Sequence, residues 1–194
     1  MNSMNQYRAV VIGVSLGGMD ALSVVLSPLP KDFPVPIVIV QHLYPNSNGF
    51  LVEYLNGRSV LEVQQAVGGE SGVAGYVYMA PPDQHLSIVN GGALVLSDDD
   101  KVNYSRPSID VLFKSAARAY GHKLVGVLLT GASADGARGM ASIKEYGGLA
   151  LVQDPETAES GVMPQSAIEV CNVDYVLPLE EIPKLLVRLM MGCQ

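Results

Sequence analysis

The 194-residue sequence is poor in cysteine, in basic residues and in long apolar segments. Its two cysteines, Cys171 and Cys193, form neither a disulfide framework nor the spaced pairs of a metal site, and burial in the core explains Cys171 better than nucleophilic chemistry. With 12 basic residues against 19 acidic ones, the formal charge is -7. This charge argues against the basic surface that nucleic-acid binding requires, so we expect no nucleic-acid partner.

Targeting and membrane signals are also missing. No apolar stretch approaches the roughly 18 residues that cross a membrane. The N-terminus is a short polar segment before the first strand, without the apolar region of a secretory signal. We therefore expect a cytoplasmic protein with no membrane insertion.

What the chain has is apolar sequence: 48% of its residues are hydrophobic and only 16% are charged. Continuous apolar strands that alternate with helical patterns are typical of a mostly parallel sheet between two layers of helices. The turn sequence Asn90-Gly91 predicts an added antiparallel β-hairpin. We expect a single α/β domain over residues 1–194, with its core from about residue 8 to residue 188.

The individual elements follow from periodicity and turn residues. Helices are predicted over residues 18–26, 50–56, 109–120, 136–146 and 180–190. Strands are predicted over residues 8–14, 35–41, 60–67, 76–80, 86–89, 93–97, 124–129, 149–153 and 175–177.

The turn after the first strand, Gly13-Val14-Ser15-Leu16-Gly17-Gly18, presents a serine between small residues. Such a turn can expose Ser15 as a nucleophile and point backbone N–H groups and a helix N-terminus at one place. A glycine-rich first βα turn can instead bind a phosphate. The dinucleotide pattern is weakened because Ser15 stands in the place of its second glycine and no acidic residue ends the next strand. From the turn alone, both interpretations remain open.

Other strand ends carry the partners that a nucleophilic serine needs. Because functional groups collect at the carboxyl ends of parallel strands, Ser15, His42, Asp135 and Asp154 are expected at one edge of the sheet. In a triad the histidine accepts the serine proton and a carboxylate orients the imidazole. Each residue also has a structural explanation: a backbone partner for His42, and helix capping for Asp135 and above all Asp154.

His85 and His122 lie in less informative contexts, and we do not expect them to be catalytic. The chain order serine, histidine, aspartate also differs from that of the lipase and esterase α/β-hydrolases.

Several further segments of the sequence, in the same order along the chain, match one known family. The chain resembles the catalytic domain of CheB, the chemotaxis protein-glutamate methylesterase family. The resemblance covers about residues 8 to 188 and is carried by the serine turn and by Ile39-Val40-Gln41-His42, Tyr78-Met79-Ala80-Pro81, His85-Leu86, Arg106-Pro107-Ser108-Ile109-Asp110-Val111-Leu112-Phe113, Leu128-Leu129-Thr130-Gly131, Asp135-Gly136-Ala137, Gln153-Asp154 and Met163-Pro164.

The resemblance implies a three-layer α/β/α sandwich with a doubly wound sheet and a serine hydrolase that needs no metal or organic cofactor. Ser15 would be the nucleophile, His42 the base and Asp135 the orienting carboxylate. Backbone N–H groups near Leu16 and Ala132 would bind the oxyanion, and Gly17, next to Leu16, would also belong to the oxyanion and substrate site. Arg106 would line the site, although a loop-anchoring role explains it equally well.

The implied substrate is the γ-methyl ester of glutamate on the cytoplasmic helical bundle of methyl-accepting chemoreceptors, with methanol as product and receptor glutamines as further substrates for deamidation. Two alternatives remain at this point. One is an esterase or amidase of the same fold with a different substrate, and the other is a non-catalytic signalling or binding module.

The sequence departs from the family pattern in three places. Leu16 replaces a small hydroxyl residue after the nucleophile, and Ala132-Ser133 replaces Met-Gly. These changes leave backbone donors in place but can alter substrate preference. Only seven residues precede the first predicted strand, so we expect no receiver domain and either a stand-alone family member or an excised catalytic domain.

Overall fold

A parallel seven-stranded sheet forms the centre of the computed structural model, which describes residues 6–192. The predictions for the first five residues and for Cys193 lie outside the described residues. The sheet contains β1 (Ala9–Val14), β2 (Ile37–Gln41), β3 (Glu62–Gln65), β4 (Tyr76–Met79), β7 (Leu124–Leu128), β8 (Leu149–Gln153) and β9 (Tyr175–Leu177). A separate antiparallel hairpin pairs β5 (His85–Ile88) with β6 (Leu94–Ser97).

The strand order β3-β4-β2-β1-β7-β8-β9 places β1 in the middle of the sheet. From β1 the chain first winds outward through β2, and it later returns to pair β7 with the opposite side of β1. A doubly wound sheet of this kind has its functional crevice at the carboxyl ends of the strands beside this reversal. The ends of β1, β2 and β7 are therefore the place to look for a site.

Alternate residues of the buried strands supply two separate cores, because successive side chains of a strand point to opposite faces. Val10, Ile12 and Val14 belong to the core under one helix layer, which is formed by α1 (Gly18–Leu26), α2 (Phe50–Asn56) and α6 (Ile182–Met191). Ala9 and Val11 belong to the core under the other layer, which is formed by the hairpin and by α3 (Ile109–Tyr120), α4 (Ala137–Glu145) and α5 (Val162–Val170). The predicted three-layer α/β/α sandwich with an added hairpin is confirmed.

One helix, α5, was not predicted. Its sequence carries Pro164 near its start and follows Gly161, two residues that usually indicate a break. A proline is tolerated in the first turn because its missing N–H would have no helical partner there. The helix forms since Met163 and Ala167 bury completely against the sheet.

Several other predicted boundaries differ from the structure by one or two residues, and two elements show why. The strand predicted over 60–67 is shorter, Glu62–Gln65, and pairs on one side only, at the edge of the sheet. The last helix begins at Ile182 because a single 3-10 turn, Leu179–Glu181, precedes Pro183. Within residues 6–192, none of the helices combines the length and the apolar sequence needed to span a bilayer.

Candidate active site

Ser15 leaves β1 in a turn that is fixed by the neighbouring strand β7. Its backbone N–H donates to the carbonyl of Thr130 at 2.9 Å, and the Thr130 hydroxyl donates to the carbonyl of Leu16 at 2.9 Å. Gly17 has φ +76°, in the left-handed region that favours glycine, and lets the chain turn into α1. The Ser15 side chain is therefore held half-buried at the carboxyl edge of the sheet.

The His42 ring lies between Ser15 and Asp135. Its Nδ1 is 3.2 Å from the Ser15 Oγ, and its Nε2 is 2.8 Å from the Asp135 Oδ2. Because an ionised carboxylate only accepts hydrogen bonds, Nε2 carries the proton and Nδ1 is free to accept from the serine hydroxyl. In the serine-protease arrangement the two ring nitrogens have the opposite partners. Here Nδ1 faces the serine and Nε2 faces the carboxylate, but one nitrogen still accepts from the serine and the other still donates to the carboxylate.

Asp135 is almost completely buried, and every hydrogen bond of its carboxylate comes from a donor. Its Oδ2 accepts from His42 and from the backbone N–H of Ile109 at 2.7 Å. Its Oδ1 accepts from Asn103 Nδ2 at 2.7 Å, from the Ser108 hydroxyl at 2.8 Å and from the Asp110 N–H at 3.2 Å. Burial by itself raises the pKa of Asp135, but hydrogen bonds from His42, Asn103, Ile109 and Ser108 outweigh it and lower the pKa below the ordinary value.

Two helices exchange caps around this carboxylate. Asp135 precedes α4 and binds the first amides of α3, whereas Asp110, in the first turn of α3, accepts from the amides of Gly136 and Gly139 at 3.1 and 2.6 Å. Each carboxylate thus satisfies N–H groups at the start of the other helix, where the helix dipole favours a negative charge. The position of Asp135 is consequently tied to the packing of α3 against α4.

Sequence reasoning missed three residues of this network, namely Asn103, Ser108 and Asp110. Ser108 stands at an N-cap position, and its hydroxyl is expected to bond within its own helix, but it donates to Asp135 instead. The segment from Arg106 to Asp110 gave a signal because it is one of the segments that carry the family resemblance. No local pattern pointed to Asn103.

The backbone also offers donors beside Ser15. Within residues 6–192 the N–H groups of Leu16 and Ala132 donate no hydrogen bond to the protein. Leu16 follows the serine, and Ala132 follows Gly131, whose backbone approaches Ser15 so closely that a Cβ there would lie 3.0 Å from the Ser15 Cβ. Two unused N–H groups next to a nucleophile are what an oxyanion site requires. Because these donors belong to the backbone, the departures from the family pattern at Leu16 and Ala132 leave them in place.

Comparison with known proteins identifies the family. The CheB methylesterase family matches residues 10–186 of the chain. The chain belongs to the CheB methylesterase family. A Leptospira interrogans relative with the provisional name protein-glutamate methylesterase/protein-glutamine glutaminase is 50% identical over 183 residues, which cover 94% of this chain and 95% of the relative.

The fold agrees with this membership. The crystal structure of the Thermotoga maritima CheB methylesterase catalytic domain superposes with a TM-score of 0.90 and 41% identity, over 95% of this chain and 99% of that one. The Thermotoga maritima protein-glutamate methylesterase/protein-glutamine glutaminase is 42% identical over 185 residues, which are 94% of this chain but 54% of that protein. The chain thus spans about half the length of such longer CheB relatives.

Arg106 lies away from the cleft that contains Ser15. Its guanidinium bonds Asp83 Oδ1 through Nε and Nη2 at 3.1 and 2.9 Å, and its Nη1 bonds the carbonyls of Asp98 and Asp99 at 2.9 and 3.0 Å. All of these contacts hold the loop before α3. They favour the loop-anchoring interpretation of Arg106.

The other candidates from the sequence also have structural partners. The Asp154 carboxylate accepts from the Glu156 N–H at 3.0 Å, as expected of a cap. His85 is buried, with Nδ1 accepting from the Ser108 N–H at 3.1 Å and Nε2 3.1 Å from the Asp100 carbonyl. His122 is exposed in the 3-10 turn after α3. The structure therefore brings together Ser15, His42 and Asp135 but leaves Asp154, His85 and His122 elsewhere.

A cleft of about 680 Å³ opens over Ser15 and His42. The turn 15–20 forms one wall, residues 41–51 form another, and Glu159 closes the side next to Gly17. Its charged lining residues are the acids Asp20 and Glu159. An uncharged group is thus favoured in this cleft over a carboxylate.

Gly18 lies against the Gln41 side-chain amide, which bonds the backbone of Ser15. Gln41 Nε2 donates to the Ser15 carbonyl at 2.8 Å, and a Cβ on Gly18 would overlap the Gln41 Oε1. We expect Gly18→Ala to displace the Gln41 amide, to lower the free energy of unfolding by about 1–3 kcal/mol, as overpacking does, and to reduce turnover. Urea unfolding would measure the change in stability, and turnover measured at a pH where the rate does not depend on pH would measure the change in activity.

Gly49→Ala is the matched control, because Gly49 has φ -70° and a Cβ there meets nothing within 4 Å. Its stability and turnover should stay close to those of the wild type. Equal behaviour of the two variants would show that the Gly18–Gln41 contact does not support the serine turn.

Proposed function

We propose that the protein is a protein-glutamate methylesterase that hydrolyses γ-glutamyl methyl esters of chemoreceptors and deamidates receptor glutamines. One observation carries the proposal: in a chain of the CheB methylesterase family, Ser15, His42 and Asp135 form one hydrogen-bonded series that opens into a cleft. Family membership supplies the chemistry, and the geometry gives each residue a role.

In the proposed reaction, Ser15 Oγ attacks the ester carbonyl carbon while His42 Nδ1 takes the hydroxyl proton. Asp135 keeps the Nε2 proton in place and stabilises the imidazolium that forms. The negative charge that develops on the carbonyl oxygen is met by the N–H groups of Leu16 and Ala132. Collapse of the tetrahedral intermediate breaks the bond to the methoxy oxygen, which leaves as methanol with the proton from Nδ1.

Water then attacks the acyl-serine, again with His42 Nδ1 as the base. The products are a glutamate carboxylate and free Ser15. With a glutamine substrate the leaving group is ammonia, and the second half of the reaction is the same. The acidic lining of the cleft disfavours the carboxylate product relative to the neutral ester or amide, which promotes product release.

The surface beside the cleft supports a protein substrate. Four apolar side chains are exposed there: Leu16 at 52%, Met19 at 40%, Tyr44 at 86% and Phe50 at 56%. Exposed apolar groups that cluster beside a site are typical of protein-binding surfaces. These four side chains form an apolar rim, which we assign to the cytoplasmic helical bundle of a methyl-accepting chemoreceptor. We propose a cytoplasmic location for the reaction on the same grounds.

Methanol release from a methylated chemoreceptor fragment tests the function. We expect release by the wild-type protein and formation of one new carboxylate for each methanol. Small methyl esters and glutamine peptides should react more slowly. Hydrolysis of another ester with no release from methylated receptor would overturn the substrate, and no reaction of Ser15 with a fluorophosphonate would overturn the serine mechanism.

The rim gives a separate prediction. Because Tyr44 is almost fully exposed, Tyr44→Ser leaves the fold intact but removes a contact area from the proposed interface. We expect about a tenfold higher KM for methylated receptor and an unchanged kcat/KM for a small methyl ester. Tyr146→Ser, at the exposed end of α4 outside the cleft, is the control and should change neither. An equal loss on both substrates would contradict the assignment of the rim.

A further inference from the structure

A loop outside the cleft contacts the buried side of the catalytic carboxylate. It runs over residues 98–108, and its tip is a tight turn in which Val102 and Ser105 exchange backbone hydrogen bonds of 3.1 and 3.0 Å. The two tip residues, Asn103 and Tyr104, have φ values of +54° and +62°. A two-residue turn with positive φ at both positions favours asparagine at the first of them.

The Asn103 amide bridges two buried carboxylates. Its Nδ2 lies 2.7 Å from Asp135 Oδ1 and 3.1 Å from Asp110 Oδ2. A primary amide nitrogen carries two hydrogens, so one nitrogen can serve both acids without adding a charge. Two adjacent carboxylates repel each other, and a shared donor offsets part of that repulsion.

The loop does not depend on this amide for its attachment. His85 bonds the loop at Asp100 and at Ser108, and Arg106 bonds it to Asp83 and to the carbonyls at its start. These contacts fix both ends of the loop. The contact between the tip and the carboxylates is therefore a separate feature, and it requires its own explanation.

We propose that Asn103 is a positioning residue of the hydrolytic reaction, which holds the Asp135 carboxylate ionised and aimed at His42. This inference rests on the proposed function. Asn103 touches neither Ser15 nor the cleft, and it acts through Asp135, whose other oxygen holds the His42 Nε2 proton. Ser108, Ile109 and Asp110 fix the carboxylate from the start of α3, and Asn103 is its donor from the tip of the loop.

The charged surroundings determine the expected pH dependence. Asp135 faces His42 from the end of β2 and Asp110 from α3. Lys114 reaches Asp110 Oδ2 at 3.4 Å from its partly exposed position, and His85 from β5 lies behind Ser108. Loss of the Asn103 donor removes a hydrogen bond to the charged form of Asp135, which raises the pKa of that carboxyl. A carboxyl with a raised pKa takes up its proton at a higher pH and then no longer orients His42 as a carboxylate, so the acidic limb of the activity profile moves to higher pH.

Asn103→Gly is the most direct test, because glycine accepts positive φ and the change removes only the side chain. We expect kcat for methanol release to fall about tenfold, as loss of a hydrogen bond to a charged group predicts, with KM within about twofold of the wild type. The acidic limb of the rate of fluorophosphonate labelling at Ser15 should move upward by about one pH unit.

Tyr104→Gly is the matched control. It makes the same substitution at the neighbouring positive-φ position, and the Tyr104 side chain is 99% exposed. We expect its kcat, KM and labelling profile to remain those of the wild type. Urea unfolding of both variants separates an effect on the site from an effect on the loop.

Asn103→Asp distinguishes positioning from simple filling of space. The aspartate has nearly the same shape, but when ionised it only accepts hydrogen bonds and sets a third carboxylate beside two others. We expect a larger loss than with glycine, about a hundredfold in kcat near pH 7. A space-filling role instead predicts wild-type activity for this variant.

The outcomes separate the two proposals. If Asn103→Gly has the same kcat and the same labelling profile as Tyr104→Gly, the proposed role of Asn103 is overturned. A fall in the stability of Asn103→Gly without movement of the acidic limb would also overturn it. If the wild type reacts with the fluorophosphonate but releases no methanol, the substrate is wrong, and the labelling profile still decides the role of Asn103. Absence of labelling in the wild type overturns both.

Discussion

Ser15→Ala and His42→Ala should each abolish nearly all methanol release, with kcat lower by about 10⁶. Without Ser15 no acyl-enzyme forms. Without His42 the hydroxyl keeps its proton, because no other described base lies within hydrogen-bonding distance of Oγ. The remaining activity would come from the N–H groups of Leu16 and Ala132 and from substrate binding. Methanol release from methylated receptor, followed over long incubations, would measure the loss.

The double variant decides whether the residues act together. We expect Ser15→Ala with His42→Ala to lose little more than either single variant, since each removal disables the same step. Losses that add on a logarithmic scale would contradict the proposed pairing. Ser23→Ala on α1 and His122→Ala on the surface are matched controls, and both should keep wild-type rates.

Asp135→Asn should combine a kinetic defect with a structural one. An asparagine in this place presents an NH₂ group or a weaker acceptor to donors that now meet a carboxylate, so the His42 proton loses its fixed partner. We expect kcat to fall by about 10⁴. Because buried donors are left unpaired, the free energy of unfolding should fall by about 2–4 kcal/mol. Urea unfolding and single-turnover labelling of Ser15 would measure the two effects separately.

The stability defect has a defined pH dependence. The pKa of Asp135 is lowered in the folded protein, so as the pH falls the unfolded chain binds the proton first. The stabilisation is complete above the unfolded-chain pKa of about 3.9 and is lost as the pH falls through the lower folded pKa. The stability gap between the wild type and Asp135→Asn should therefore be constant near neutral pH and narrow below about pH 4. A gap that widened on acidification would contradict this ionisation state.

Asp154→Asn is the control for both effects. It makes the same chemical change at another carboxylate that follows a strand, but Asp154 caps a turn, and asparagine caps about as well as aspartate. We expect a change in stability within about 0.5 kcal/mol and normal turnover. A loss comparable to that of Asp135→Asn would reverse the assignment of the orienting carboxylate.

Much of the fold was predictable because its signals are local. Uninterrupted β-branched strands such as Ile37–Gln41 and the helical spacing in Ile109–Tyr120 depend only on neighbouring residues. The missed helix Val162–Val170 shows the limit of this reasoning, since burial of Met163 and Ala167 against the sheet outweighs an unfavourable glycine and proline. Strand edges were least predictable, as the shortened Glu62–Gln65 shows, because pairing decides where a strand ends.

The sequence by itself determined the α/β class, the succession of strands and helices, and the set of polar residues that follow strand ends. From these, Ser15 and His42 emerged together with two candidate carboxylates. The family resemblance already favoured Asp135 over Asp154, and the tertiary structure gives the physical reason. Strand β7 pairs directly with β1, whereas β8 is one strand farther out, so Asp135 reaches His42 and Asp154 does not. Their roles in catalysis stay predictions that the variants above will test.

Three further features could be seen only in the tertiary structure. The His42 ring nitrogens have exchanged partners relative to the serine-protease arrangement, Arg106 anchors its loop, and Asn103 contacts Asp135. Asn103 and Asp135 are 32 positions apart, and His42 and Asp135 are 93 positions apart. Local patterns extend over a few residues and carry no information about such distances. Contacts of this kind are set by the order of the strands and by the packing of α3 against α4, which places the start of each helix against the carboxylate of the other.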